Sequence, residues 1–378
     1  MRIFFRISLF TFLFIVFAGA NASAINKNDK EEIVRINIKT ENFKSSANLS
    51  DFIEINKLIP LETTKNCLIK EINKAIRYRD NIYVFDLEQQ NLFWFNSKGK
   101  FLGSIGQLGK GPGEYIEMHD FLVDTHNELI YILDFRKIHV FSLKGKWIRS
   151  ANIEFIAEAF RQTENKEFVF YGAGRDNRLF ITDSNFITIN SFFPYSLACR
   201  MTPRYPLSNY ENRILIHIPT FDTIYSLKDG KPEPLFYFDF NGKNLTERGF
   251  NRLSATDQNE VYDYIMQNCR YVWSHGFMPL RNSAIISIIY CKKAYWGICN
   301  LNTHQYTIVE LKKLNNDIFG TFMYFHPTGI TDDEYIFSMP AEVMIKDKTN
   351  SFYKKNIEIL KGVTELSNPV LLFAKSKI

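Results

Sequence analysis

The glycine-rich segment GQLGKGPGEY, residues 106–115, is the first stretch whose residue types suggest chemistry, because glycine-rich loops with a lysine cradle phosphate groups. A Walker loop places serine or threonine directly after its lysine, so that the hydroxyl reaches a metal ion. Here Gly111 occupies that position, Pro112 lacks a backbone N–H donor, and Glu114 puts a negative charge where the phosphate would sit. The segment therefore does not predict a phosphate site.

Histidines, cysteines and paired carboxylates are the other residues that could do chemistry. The seven histidines are scattered, and neither H-E-x-x-H nor G-x-S-x-G occurs. The five cysteines include no C-x-x-C pair, so the sequence gives no support for a structural zinc site, and we predict buried free thiols. Asp86 and Asp134 each end an apolar strand pattern, where aspartate is more typical of a turn than of acid–base catalysis.

The N-terminal residues 1–24 have the pattern of a secretory signal peptide. Two arginines precede the apolar stretch Ile7–Ala18, and small residues with A-x-A spacing predict cleavage near Ala20–Ala24. An uncleaved anchor is the alternative, although the apolar run is short for a membrane-spanning helix. The first cysteine is Cys67, so a lipid-anchored lipoprotein is not predicted. The mature protein is expected to be exported, and it has no other segment apolar enough to span a membrane.

The net charge argues against some classes of partner. The formal charge is +5, and removing the two arginines of the leader leaves the mature chain near +3. So mild a charge does not predict binding to nucleic acid or to a membrane surface. Aromatic residues make up 15% of the chain, which suits strands more than helices.

A repeated unit of strands must position any functional residues. Asn81–Gly106 and Leu129–Ile153 both consist of an apolar strand ending in Asp, a polar turn, an alternating strand, a Lys-Gly-Lys hairpin and a further strand. Fainter copies of this strand-and-turn rhythm follow at 167–193, 212–238, 284–311 and 325–340. Six units of roughly 50 residues fall within the repeat range of β-propeller blades.

Two stretches break the strand rhythm, at residues 254–272 and 341–362, and both are predicted to be helical insertions between blades. The remaining mature chain, residues 25–378, is predicted to be a single domain. An open sheet edge is a pairing hazard, so we expect strands from both chain ends, near Phe52–Thr63 and Asn368–Ile378, to complete the last blade.

The repeats resemble a known family. The stretch Glu117–Ser150 is similar to an NHL repeat. GQLGKGPGEY followed by DFLVD resembles a six-bladed β-propeller family of secreted bacterial proteins that carry a G-x-G-P-G-E-[FY] segment between their first two blades. FDTIYSL at residues 221–227 and the C-terminal NPVLLF are also similar to that family. The resemblance implies an all-β fold, a six-bladed β-propeller of the NHL or TolB type with short helical insertions. Most such proteins are known only as propellers, so for function it implies little beyond a binding module.

A propeller fold gives the glycine-rich segment a structural role as the crossing from the first blade to the second. Its glycines, Gly111 among them, allow positive φ, and Glu114 would accept hydrogen bonds from freed backbone N–H groups while Tyr115 packs between blades. Connections of this kind line one face of a propeller, where ligands usually bind.

On that face, inner strands begin at His119, with Asp120, and at His326. His217 follows an apolar run that places it similarly. The candidate ligand-binding residues are Gly111, Gly113, Glu114, Tyr115, His119, Asp120, His217 and His326.

The function predicted from the sequence is that of an exported, non-enzymatic binding module that recognises a protein, peptide or glycan on its loop face. No cofactor is predicted. The alternative is a propeller enzyme, a lyase or lactone hydrolase, that holds Ca²⁺ or Zn²⁺ on the propeller axis. Hydrogen bonding at the starts of the blades is the simpler role for the histidines, because the repeats supply no matching ring of acidic residues.

Overall fold

The structure is a computed structural model that describes residues 32–173, 177–194, 203–218, 222–244, 264, 269–320 and 326–378. Ile33–Ile378 form one unit, and its main sheets are six consecutive blades. The predicted six-bladed β-propeller is therefore confirmed. The predicted signal peptide lies outside the described residues, as does the predicted helical insertion at 254–272 except for Tyr264 and residues 269–272.

The described unit begins with three strands that join sheets formed by distant residues: β1 (Val34–Asn37), β2 (Ala47–Asn48) and β3 (Ile53–Pro60). The first blade consists of β4 (Lys74–Tyr78), β5 (Asn81–Asp86), β6 (Asn91–Asn96) and β7 (Phe101–Ser104). The glycine-rich crossing contributes the short strands β8 (Gln107–Leu108) and β9 (Glu114–Tyr115). The second blade consists of β10 (Met118–Asp124), β11 (Leu129–Asp134), β12 (Lys137–Ser142) and β13 (Trp147–Asn152).

The third blade consists of β14 (Ala157–Gln162), β15 (Phe168–Gly172), β16 (Asn177–Thr182) and β17 (Thr188–Pro194). The fourth contains β18 (Leu207–Tyr210), β19 (Arg213–His217), β20 (Thr223–Lys228) and β21 (Lys231–Asp239). The fifth contains β22 (Trp273–Leu280), β23 (Ser283–Tyr290), β24 (Lys293–Asn300) and β25 (Tyr306–Glu310). After β26 (Leu314–Asn315), the sixth blade uses β27 (Pro327–Ile330), β28 (Tyr335–Met339) and β29 (Val370–Ser376). Two short helices, α1 (Ala341–Ile345) and α2 (Ser351–Lys355), lie between β28 and β29, so the insertion at 341–362 interrupts the sixth blade and does not lie between blades as predicted.

The N-terminal segment follows the outer edges of three blades. β1 pairs in parallel with β21 of the fourth blade, Lys44 bridges Val309 of the fifth, and β2 pairs in parallel with β26. β3 then pairs antiparallel with β29 and forms the outer strand of the sixth blade. These pairings occupy backbone groups that would otherwise form exposed sheet edges.

The hydrophobic core lies between neighbouring blades. In β5 five successive residues are buried, because both faces of a second strand are covered by adjacent blades, whereas most of the outer strand β13 is exposed. Aromatic rings fill these layers; Phe155 and Phe180, for example, stack with their centroids 4.0 Å apart. Each fully buried phenylalanine contributes roughly 1.5–3 kcal/mol to stability.

The first strands of the blades surround a central axis. Contacts join β4 to β10, β10 to β14, β14 to β18, β18 to β22, and β27 back to β4. We call these six strands the inner strands and the space that they surround the channel. In an antiparallel blade, the start of the inner strand and the end of the second strand lie at the same end of the blade. We call this end of the propeller the mouth of the channel.

The prediction of free cysteines is only partly right. Cys67 and Cys299 are buried and free, and burial raises the pKa of each thiol to about 12. Cys269 and Cys291, however, form a disulfide with their Cα atoms 4.3 Å apart. Cys291 lies in the turn after β23, and β23 returns antiparallel along β22, so this turn comes within disulfide reach of the residues that precede β22. Within the described parts of the chain, no helix is both long and apolar enough to cross a membrane.

Candidate functional site

The glycine-rich crossing is held together by its own residues. β8 and β9 pair in parallel, and the Glu114 carboxylate accepts hydrogen bonds from the Gly111 N–H and from the Gln107 amide, both at 2.7 Å. The bond from Gly111, followed by that from Gln107, lowers the pKa of Glu114. The crossing therefore holds a carboxylate of its own beside the backbone N–H group that a phosphate loop would offer to a ligand.

Tyr115 and Gly113 also have structural roles. Tyr115 is fully buried between the first and second blades, and its hydroxyl donates to the Gln90 carbonyl at 3.0 Å. Gly113 has φ of 78°, and a Cβ there would approach the Trp147 side chain to 2.8 Å. Gly111, in contrast, is not among the residues with positive φ. Ligand binding by these residues stays a prediction.

A β-bulge interrupts four inner strands near their starts. The pairing shifts at His119 in β10, Glu158 in β14, His275 in β22 and Thr328 in β27. A bulge leaves one residue outside the regular ladder and redirects its side chain, and bulges are common next to functional sites. The same bulge recurs where these inner strands begin, at the mouth of the channel.

Asp120 lies between two cations, and the three charged side chains connect the first three blades. The Lys74 Nζ is 2.6 Å from one carboxylate oxygen, and an Arg161 guanidinium nitrogen is 3.0 Å from the other. Burial alone would raise the pKa of Asp120, but the charges of Lys74 and Arg161 hold it below its usual value. Burial, and then the charge of Arg161, lower the pKa of Lys74 to about 8. Asp120 is thus fully engaged by protein partners.

His119, which follows Met118 at the bulge, does not join this group of charges. Its Nε2 is 4.0 Å from the Glu117 carboxylate and has no hydrogen-bond partner among the described residues.

The two carboxylates that end second strands, Asp86 and Asp134, accept hydrogen bonds from backbone N–H groups just before the inner strands. They fasten the crossings to the blades.

A second group of side chains comes from the fourth, fifth and sixth blades at the same end of the channel. We call it the histidine–arginine cluster, and it consists of Arg204, His217, His275 and His326. The segment before β18 connects its parts. The Arg204 N–H donates to the His275 carbonyl at 2.9 Å, and the next residue, Tyr205, donates its hydroxyl to the Pro327 carbonyl at 2.8 Å.

Burial controls the charge of this cluster. Burial lowers the pKa of His217 to about 3, of His275 to about 4 and of His326 to about 3. The positive charge of Arg204 lowers the pKa of His275 and His326 further, and the neighbouring His275 does so for His217. No carboxylate is among the groups that shift these three pKa values. The imidazoles are therefore neutral at pH 7, and the guanidinium of Arg204 is the charge of the cluster.

Several polar atoms of the cluster have no hydrogen-bond partner among the described residues. His217 is only 2% exposed, and neither of its ring nitrogens has a hydrogen bond of good geometry to the described residues, although a contact with the Ser274 backbone opposes the lowering of its pKa. Nδ1 of His275 is also buried without a partner there. Nδ1 of His326 makes a long contact of 3.5 Å with the Ser287 hydroxyl. The Arg204 side chain is exposed.

The structure thus brings together two predicted site residues, His217 and His326, and adds two that the sequence reasoning missed. His275 carries a signal that repeat alignment could have used, because it occupies the same bulge position in the fifth blade as His119 does in the second. Arg204 has no such signal, since it precedes an inner strand and no repeat pattern marks it. In the described parts of the chain, no three His, Cys, Asp or Glu side chains are placed to hold a metal ion.

A polar cleft of about 360 Å³ lies between the third and fourth blades, away from the cluster. Its lining comes from the hairpins that follow β14, β18 and β20, and it includes Glu164, Glu211, Arg213 and Asp229. The cleft therefore opens at the opposite end of the propeller from the mouth of the channel.

Comparisons with known proteins agree with the propeller fold. Residues 33–375 match the model of a domain of unknown function, DUF4934. The crystal structure of a presumed exported protein from Bacteroides fragilis superposes with a TM-score of 0.78 at 23% identity, covering 91% of this chain and 100% of that one. A member of the DUF4221 family from Bacteroides vulgatus gives a TM-score of 0.50 at 10% identity, covering 86% of this chain and 98% of that one. No curated protein matches the chain.

Proposed function

The chain belongs to the DUF4934 family of domains of unknown function, and we propose that it is an exported, non-enzymatic binding module whose ligand docks at the mouth of the channel, on the histidine–arginine cluster. The ligand is a protein, a peptide or a glycan that presents one small group to the cluster. The mild charge of the mature chain does not favour nucleic acid.

One observation carries this proposal: His217 is buried with both ring nitrogens unpartnered among the described residues. Leaving a buried polar group without a partner costs roughly 1–3 kcal/mol, so native proteins retain few such groups, and each calls for an explanation. Docking of a ligand would supply the missing hydrogen bonds. Asp120, in contrast, has all its partners within the protein, so it offers a ligand little.

Screening of small compounds against the mature protein tests this function. Neutral and charged monosaccharides and blocked amino acids are added, and the melting temperature is followed. We expect at least one compound to raise the melting temperature of the wild type but not that of His217→Leu. His126→Leu is the control, because His126 is exposed in a hairpin at the other end of the second blade, and this variant should respond as the wild type does. The proposal fails if no compound discriminates His217→Leu from the control.

Metal analysis distinguishes the binding module from the alternative, an enzyme with an axial Ca²⁺ or Zn²⁺. We expect the purified mature protein to contain no stoichiometric divalent metal, whereas one tightly bound cation per chain would favour the enzyme.

Mass spectrometry of the exported protein tests the localisation. An N-terminus near residues 21–25 with no lipid attached supports a cleaved signal peptide.

A further inference from the structure

We infer that the histidine–arginine cluster recognises a single carboxylate group of the ligand. This inference rests on the proposed function and names the chemistry that the site selects. It follows from the charge of the cluster, from its hydrogen-bond donors and from the position of its one cation.

The cluster has a cation without a counter-ion among the described residues. The side chain of Arg204 is exposed and forms no ion pair with any described residue, and no described carboxylate influences the three histidines of the cluster. Two other arginines of the described chain form ion pairs: Arg161 contacts Asp120, and Arg79 contacts Glu128. An anionic group at the mouth of the channel would give Arg204 a partner that the described residues do not provide.

The donors of the cluster suit a planar oxyanion. A guanidinium presents parallel N–H groups that match the two oxygens of a carboxylate. Each neutral imidazole keeps one N–H donor, so the unpartnered nitrogens of His217 and His275 can bind an oxygen without carrying charge themselves. Because these rings stay neutral, the site offers one positive charge. One carboxylate neutralises that charge, whereas a phosphate dianion carries one negative charge more than the site offers.

Matched pairs of small probes test this inference by isothermal titration calorimetry at pH 7. D-glucuronate is compared with D-glucose, and N-acetylglycine with its amide, so that a sugar acid and a peptide-like acid are tested separately. We expect at least one carboxylate to bind about tenfold or more tightly than its neutral counterpart, since hydrogen bonds between charged groups are the stronger ones. The preference should disappear in Arg204→Gln and persist in Arg79→Gln, which removes an equal charge from an exposed ion pair.

Three outcomes would overturn the inference: carboxylates that bind no better than their neutral counterparts, a preference that survives in Arg204→Gln, and inorganic phosphate that binds more tightly than either acid. A neutral compound that binds the wild type but not His217→Leu would refute the carboxylate while leaving the proposed function intact. A lack of binding by every compound in the screen would count against both. Circular dichroism of each variant establishes that a loss of binding is not a loss of folding.

Discussion

Replacing His217 by leucine should make the protein more stable. Leucine has a similar volume and no polar atoms, and the side chain that it replaces is only 2% exposed. The substitution removes two buried nitrogens that have no hydrogen-bond partner among the described residues. From the cost of such groups, we expect the free energy of unfolding to rise by about 1–3 kcal/mol. Most substitutions destabilise a protein, so the sign alone is informative.

His139 provides the matched control. It too is 2% exposed, but its Nε2 lies 3.2 Å from the Asp134 carboxylate and its Nδ1 lies 2.9 Å from the Ser150 hydroxyl. His139→Leu breaks both contacts and leaves a buried carboxylate short of a partner, so we expect it to lose roughly 1–3 kcal/mol. The two substitutions are chemically identical, and only the surroundings of the histidine differ.

Urea denaturation at pH 7, followed by tryptophan fluorescence, measures both variants against the wild type. The slope of the transition should stay unchanged, so that the shift in midpoint reports stability alone. If His217→Leu destabilises the protein as much as His139→Leu does, then His217 contributes to the fold like an ordinary buried histidine. The reasoning that assigns it to a ligand would then be wrong.

Three further predictions concern the pH dependence, the crossing and the last blade. Burial holds the three cluster histidines at pKa values of about 3 to 4, below the ordinary 6.5, so the unfolded chain binds protons that the folded protein excludes. Above pH 6.5 these histidines do not make stability depend on pH, and below it the free energy of unfolding falls by up to about 1.4 kcal/mol per histidine and pH unit toward pH 4. Urea titrations at pH 7 and 5 should therefore show a smaller loss of stability for His217→Leu than for the wild type. Gly113→Val should cost roughly 1–3 kcal/mol because φ is positive and Trp147 is close, whereas Lys110→Ala should stay within about 0.5 kcal/mol in thermal melts. Deleting Asn368–Ile378 removes the strand between β28 and β3, and light scattering should show aggregated protein; a soluble, equally stable monomer would refute this expectation.

The blades could be predicted from the sequence because their signals are local. Asn81–Gly106 and Leu129–Ile153 each contain their strands and hairpin turns within one short stretch, and the structure forms the second, third and fourth strands of a blade from each. The roles of Glu114 and Tyr115 within the crossing are local as well. A glutamate three residues after Gly111 can reach back to its N–H, and an aromatic residue beside an inner strand packs between blades.

The parts that the sequence did not reveal depend on closure of the ring. Arg204 and His326 are 122 residues apart, and they come together only because the fourth and sixth blades meet at the channel. β1 is a four-residue strand that adds to the edge of the fourth blade about 200 residues later, and nothing in its pattern indicates that partner. The Cys269–Cys291 disulfide was missed because an odd number of cysteines does not identify a pair.

A crystal structure of the mature protein with a compound from the screen would locate the ligand relative to the mouth of the channel. We expect electron density within hydrogen-bond distance of the His217 ring and the Arg204 guanidinium. Density in the polar cleft between the third and fourth blades, with the cluster unchanged, would refute docking at the mouth.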